Sequence, residues 1–278
     1  MKVCMLIENN RRSDFLKKEH GLSLYIESMN RKIVFDTGAS GAFIDNAVKL
    51  GIKIEDVDTV VISHAHKDHS GGLTRFLKLN TKAQVYMSGM NIHEYYARLF
   101  LLKKNISMPK EIFNTYKNRI HFTDDFTDLG QNAFIISRFV RKYPLLKSNK
   151  HLLVKVKEKL IRDNFEHEVA LVLNNGGQLI IFSGCSHNGI ENIIESTLQY
   201  FPHVPIQAVI GGLHLVDFPR NILQESKKGI TVIANRLMSY NIEKIYTCHC
   251  TGHRAFNILK QVMGNKIDTF TTGMRVEL

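Results

Sequence analysis

At 278 residues, with 44% hydrophobic and 23% charged residues and only five prolines, the chain is neither disordered nor fibrous and is long enough to bury a sizeable core. No run approaches the ~20 apolar residues of a membrane helix, and the apolar opening at Val3–Ile7 is too short for a signal-peptide core, so a cytoplasmic protein without membrane attachment is expected. The formal charge of +11 suits an anionic partner without choosing among nucleic acid, an acidic membrane surface and small phosphorylated molecules.

Over residues 1–90 short apolar runs alternate with helical patterns, the rhythm of an α/β domain. Val3–Ile7, Leu22–Glu27 and Lys32–Phe35 read as strands. Phe43, Ile44, Ala47 and Val48 have helical spacing, Gly51 follows as the stop, and Thr59–Ile62 is the next strand. From Asn91 to Phe165 the chain carries fifteen Lys/Arg against seven Asp/Glu, and a helical start at Tyr95–Leu102 gives way to weak periodicity. This reads as an inserted basic cap, approximately 91–165, on a single domain spanning 1–278. Alternation resumes with strands at Val169–Leu173 and Leu179–Phe182, joined by the hairpin residues Asn175-Gly176-Gly177. A helix through Ile190, Ile193, Ile194 and Leu198, a strand at Ala208–Ile210, a helix over roughly Ile222–Tyr240, a strand at Lys244–Thr247 and a helix near Ala255–Met263 complete the pattern. The four cysteines (Cys4, Cys185, Cys248, Cys250) form no CxxC pair and read as free thiols.

The chemistry concentrates after the strand ending at Ile62, in Ser63-His64-Ala65-His66-Lys67-Asp68-His69. Alternation at a strand end turns His64 and His66 to one side, and Asp68 and His69 arrive from the following turn. Three imidazoles and a carboxylate so close together repel one another when charged and lose solvation when buried, unless a cation compensates them. Borderline-soft nitrogen with hard oxygen suits zinc, with iron or manganese as alternatives. Asp36-Thr37-Gly38 also looks like an aspartic-protease loop, but such enzymes pair two aspartates, and the later Thr271-Thr272-Gly273 lacks the carboxylate.

The pattern His64-x-His66-x-Asp68-His69 resembles the metallo-β-lactamase fold superfamily, and Phe35-Asp36-Thr37-Gly38 resembles its first motif. The motifs Glu19-His20-Gly21, Ser183-Gly184-Cys185-Ser186-His187, Gly211-Gly212-Leu213-His214 and His249-Cys250-Thr251-Gly252 narrow the resemblance to one branch. That branch includes the archaeal 7,8-dihydropterin-6-methyl-4-(β-D-ribofuranosyl)aminobenzene 5′-phosphate synthase. The resemblance implies an α/β fold, a four-layer αββα sandwich, and two divalent transition metals held by His64, His66, Asp68, His69, His187 and His249. It makes Asp36 a support for the metal loop, and Asp68 the residue that orients the nucleophile.

Cys185 stands where most of the superfamily has a metal-bridging aspartate, and His167 competes with His187 for one ligand post. His214 reads as a substrate contact or proton donor, Glu19 and His20 as pocket residues, and Arg138 and Arg141 as attractors of a small anionic substrate. The expected function is a metal-dependent, hydrolase-like enzyme acting on a phosphorylated or pterin-type small molecule. A nuclease or phosphodiesterase and a non-catalytic metal sensor are the alternatives. Nucleic acid is the weaker expectation as a partner, and a homodimer stays open.

Overall fold

The structure, a computed structural model, describes residues 1–28, 30–99, 102–217 and 221–278. The chain divides into two compact units. The first comprises Met1–Asp124, His151–Val169 and Thr271–Leu278, and the second Asp125–Lys150 and Ala170–Phe270. Among the described residues no helix is long and apolar enough to cross a membrane.

The first unit is built on a seven-stranded mixed sheet in the order Arg275–Glu277, Lys2–Ile7, Ser23–Ser28, Arg31–Phe35, Thr59–Val61, Gln84–Ser88, Ile120–Thr123. The first three pairings are antiparallel and the last three parallel. Parallel neighbours need crossovers, and the apolar spacing read from the sequence supplies them in helices Ala42–Lys49 and Leu73–Leu79. Phe43, Ile44, Ala47, Leu73, Phe76 and Leu77 from these helices pack on Leu6, Val34, Val60 and Val85 of the strands in one core. Gly51 ends the first helix at φ +73°, with open space where a Cβ would stand, as a glycine stop requires.

A four-stranded antiparallel sheet in the order Lys159–Arg162, Leu152–Val156, Glu94–Leu99, Leu102–Asn105 belongs to the same unit. The helix expected at Tyr95–Leu102 is therefore a strand, insofar as it lies within the described residues; Phe100 and Leu101 fall outside them. The aromatic and β-branched residues of Glu94–Leu99 and Leu152–Val156 find a pairing partner far along the chain, which local spacing cannot reveal. The described residues of 91–165 are shared between the two units. They supply this sheet, Ile120–Thr123 of the main sheet, and Phe126–Gly130 and Ala133–Ile136 of the second unit.

The second unit carries a seven-stranded mixed sheet in the order Ile267–Thr269, Ile242–Thr247, Ile206–Gly211, Gln178–Phe182, Ala170–Asn175, Ala133–Ile136, Phe126–Gly130. The four strands from Ile267–Thr269 to Gln178–Phe182 run parallel, and the remaining pairings are antiparallel. Gly176 and Gly177 hold φ +63° and +88° in the two-residue hairpin turn read from the sequence. Helices Ile190–Tyr200, Lys227–Ser239 and His253–Met263 make the crossovers, and Ile193, Ile194, Ile230, Ala234, Leu237 and Leu259 fill the core against the sheet. The expected helix from Ile222 starts later. Ile222–Leu223 pairs with Val216–Asp217, and the helix opens only where the Ser226 hydroxyl accepts the Gly229 N–H at 3.1 Å.

Candidate metal centre

In the first unit the parallel strands Arg31–Phe35 and Thr59–Val61 end side by side and deliver Asp36 and Ser63 to one another. Asp36 sits at φ 59°, a costly conformation for a residue other than glycine. Its Oδ1 accepts the Ser63 backbone N–H at 2.7 Å, and its Oδ2 accepts the Ser63 hydroxyl at 2.7 Å and His69 Nδ1 at 2.6 Å. These bonds place the His69 proton on Nδ1 and make Nε2 the basic nitrogen. Because Ser63 donates to Asp36, His64 Nδ1 at 2.8 Å is the donor to Ser63 Oγ, and Nε2 of His64 is likewise the basic nitrogen.

The three imidazoles of the motif lie together, with ring centroids 4.6 Å apart for His64 and His66 and 4.1 Å for His64 and His69. Burial, helped by neighbouring His167, pushes the His66 imidazole down to about 3, so the ring is neutral at neutral pH, the form that ligates a metal. Asp68 lies in the first turn of the short helix Lys67–Ser70 and turns its Oδ2 to 3.7 Å from His69 Nε2 and 3.3 Å from His20 Nε2. Asp68 is thus the partly exposed carboxylate beside buried imidazoles, and His20 faces it.

His167 is held by its own neighbours. Although donor atoms of His66, Asp163 and His167 lie within 4.8 Å of one another, both His167 nitrogens are engaged: Nδ1 accepts the Ala65 N–H at 3.0 Å and Nε2 donates to Asp163 Oδ2 at 2.9 Å. Burial works to raise the Asp163 carboxyl, but His167 holds it below the usual range, so the pair braces the backbone between His64 and His66. The Tyr95 ring of the four-stranded sheet lies 4.1 Å from that of His167, tilted by 43°, and packs on Ala65 and Val154, while the Lys67 N–H donates to Ile106 O at 2.7 Å. The Glu19 carboxylate accepts the Ala39 N–H at 3.0 Å, the Ser40 N–H at 3.2 Å and the Ser40 hydroxyl at 2.6 Å, and so braces the Asp36 turn.

In the second unit three loops follow the adjacent parallel strands Gln178–Phe182, Ile206–Gly211 and Ile242–Thr247, at the strand ends where α/β proteins place their sites. The first carries His187, whose Nδ1 donates to Asn149 Oδ1 at 2.9 Å while Asn149 Nδ2 donates to the His187 carbonyl at 2.8 Å. This clamp makes Nε2 the basic nitrogen of His187. The ring of His214, from the second loop, lies 4.2 Å from that of His187. The third loop presents buried His249, at φ 51°, followed by Cys250. Donor atoms of Cys185, His214 and Cys250 lie within 4.8 Å of one another. Burial acts to raise the Cys250 thiol, but Cys185, His214 and the charge of His249 hold it well below the usual value. Arg138 is exposed and ion-paired with Asp125 at 3.1 Å; Arg141 is exposed on the same segment.

Sequence reasoning missed Asn149, Asp163 and the hydroxyl of Ser63 as groups that orient imidazoles. Ser63 alone had a signal, since it stands between the strand and the first histidine; Asn149 and Asp163 lie in segments without pattern.

Comparison with known proteins agrees with the motifs. Residues 17–129 match the model of the metallo-beta-lactamase superfamily. A Methanocaldococcus jannaschii protein, 7,8-dihydropterin-6-methyl-4-(beta-D-ribofuranosyl)-aminobenzene-5′-phosphate synthase, is 28% identical over 255 residues, covering 87% of this chain and 84% of that protein. The crystal structure of Tm1679, described as a metal-dependent hydrolase of the beta-lactamase superfamily, superposes with a TM-score of 0.84 at 28% identity, over 100% of this chain and 99% of that one. Zinc-bound PqqB from Methylobacterium extorquens shares the fold at a TM-score of 0.60 and 12% identity, with 100% of both chains covered.

Proposed function

We propose that the chain, whose residues 17–129 match the metallo-beta-lactamase superfamily model, is a metal-dependent enzyme of that superfamily holding two divalent transition metals, zinc foremost, and acting on a small phosphorylated or pterin-type substrate. The observation that carries the metal part is the orientation of the imidazoles: Asp36 and Ser63 turn His69 and His64 so that Nε2 is the basic atom of each, and burial keeps His66 neutral. The residues therefore fit a metal. His64, His66, Asp68 and His69 would hold it from the first unit; His187 and His249 join the ligand set on the strength of the family resemblance. Bound metals would supply Lewis-acid polarisation of a phosphoryl or carbonyl oxygen and an acidified water.

The chain's own groups do the rest. Asp68, partly exposed and facing His20, accepts a proton and orients an incoming nucleophile. Arg141 and Arg138 attract the anionic substrate from solvent, Arg138 after giving up its exposed pair with Asp125, which costs little.

The similarity to the synthase favours transfer to an aminobenzene ribose phosphate with loss of pyrophosphate from a dihydropterin precursor. The test is to supply metal-loaded protein with the dihydropterin diphosphate, with and without 4-(β-D-ribofuranosyl)aminobenzene 5′-phosphate, and to measure pyrophosphate. Release that depends on the acceptor is the expected result, and release into water alone would make the enzyme a hydrolase. No turnover of the pterin, together with metal-dependent cleavage of single-stranded RNA whose binding falls steeply with salt, would overturn the small-molecule reading.

A further inference from the structure

The loops after three neighbouring strands of the second unit bring together two thiols and an imidazole, from Gly184-Cys185, Leu213-His214 and His249-Cys250. The packing around them is tight. A Cβ on Gly212 would stand 2.5 Å from Cys250 Sγ and 3.0 Å from the Gly184 carbonyl, so the sulfur occupies the space that a side chain there would need. Both cysteines are buried, and Cys250 Sγ accepts the His214 backbone N–H at 3.2 Å and donates to the Cys185 carbonyl at 3.7 Å, so the sulfur is held between the loops of the other two donors. Both ring nitrogens of His214 are buried and have no hydrogen-bond partner among the described residues. Leaving such nitrogens unsatisfied is costly, and a cation would satisfy the basic one.

We propose that Cys185, His214 and Cys250 form a soft-metal site of the zinc class that adjoins the proposed catalytic pair, since the Cys185 donor also lies within 4.8 Å of those of His187 and of His249. Two donors bound tetrahedrally to one zinc at 2.0–2.3 Å are roughly 3.3–3.8 Å apart, so donors already within 4.8 Å need only about an ångström of closure. Three protein donors leave a fourth position for an exchangeable ligand. Two sulfurs give this site a preference for zinc, cobalt or cadmium over magnesium or manganese, which distinguishes it from the imidazole and carboxylate set of the first unit.

The probe is cobalt(II), titrated into metal-stripped whole protein with absorbance and bound metal followed together. Wild type is expected to take three equivalents and to develop a sulfur-to-cobalt charge-transfer band. Cys250→Ser should lose one equivalent and reduce the band, Cys185→Ser the same, and His214→Gln, at a half-buried position, should lose one equivalent in a protein whose circular dichroism is unchanged. His66→Ala should keep the band, so a failure of the proposed catalytic pair reads out separately from a failure of this site. The proposal is overturned by the absence of any sulfur band in wild type, by a band that needs Cys185 but neither Cys250 nor His214, or by a His214→Gln protein with undiminished stoichiometry.

Discussion

Asp36 joins backbone strain to function. Its carboxylate takes three hydrogen bonds while its backbone holds a left-handed φ, and what it orients is His69. Asp36→Asn keeps the size of the side chain but removes the charge that fixes the His69 proton on Nδ1. Metal affinity is expected to fall about 10–100-fold, read by competition with a chelating dye, with the circular dichroism spectrum retained. An unchanged affinity would show that the carboxylate serves the turn alone. His66 makes a pH prediction. Its folded value of about 3 lies below the unfolded 6.5, so the unfolded chain binds more protons between these values. The stability contributed by keeping this ring neutral is therefore present above pH 6.5 and is lost as pH falls towards 3, at about 1.4 kcal/mol per unit. Metal-stripped protein should show this slope in urea denaturation, and His66→Gln should flatten it; equal slopes in both proteins would contradict the assignment.

The four-stranded sheet changes the reading of the middle of the chain. Its charge is plain in the sequence, and charge suggested a solvated cap, yet its inner face supplies Tyr95, which packs on Ala65, lies beside His167 and donates its hydroxyl to Met90 O at 2.8 Å. Tyr95→Ala should cost about 3–5 kcal/mol and weaken metal binding with it, because the loop between His64 and His66 loses its support. Equilibrium denaturation and metal titration of the same preparation would check both, and a destabilised protein with normal metal affinity would separate the sheet from the site. Sequence reasoning failed here for a physical reason. The pairing of Tyr95 with Val154 joins residues far apart in the chain, and strand propensity depends on such a partner. Helix Ala42–Lys49, stopped by Gly51, and the Gly176-Gly177 hairpin were legible because spacing and turn chemistry are local.

Across the molecule the two seven-stranded sheets follow one plan: three antiparallel pairings, then three parallel ones, with helices in the parallel crossovers. No sequence repeat announces this, because hydrophobic cores tolerate many exchanges that keep volume and pattern. In both sheets the chemistry sits after the parallel strands: Asp36 and the histidine motif in the first, and Cys185-Ser186-His187, His214 and His249-Cys250 in the second. The first-unit motif was legible from its spacing alone. His187 and His249 needed the family resemblance, since a single histidine after a strand carries little information by itself. The groups that orient them were not legible, because Asn149 reaches His187 from a distant segment. The central claim, that this chain is built to hold metals through these histidines, is tested most directly by elemental analysis of protein purified without added metal, beside His66→Ala and His249→Ala. Wild type should carry at least two transition-metal equivalents and each variant should lose metal while keeping its circular dichroism spectrum. A His66→Ala protein with full metal content would contradict the account.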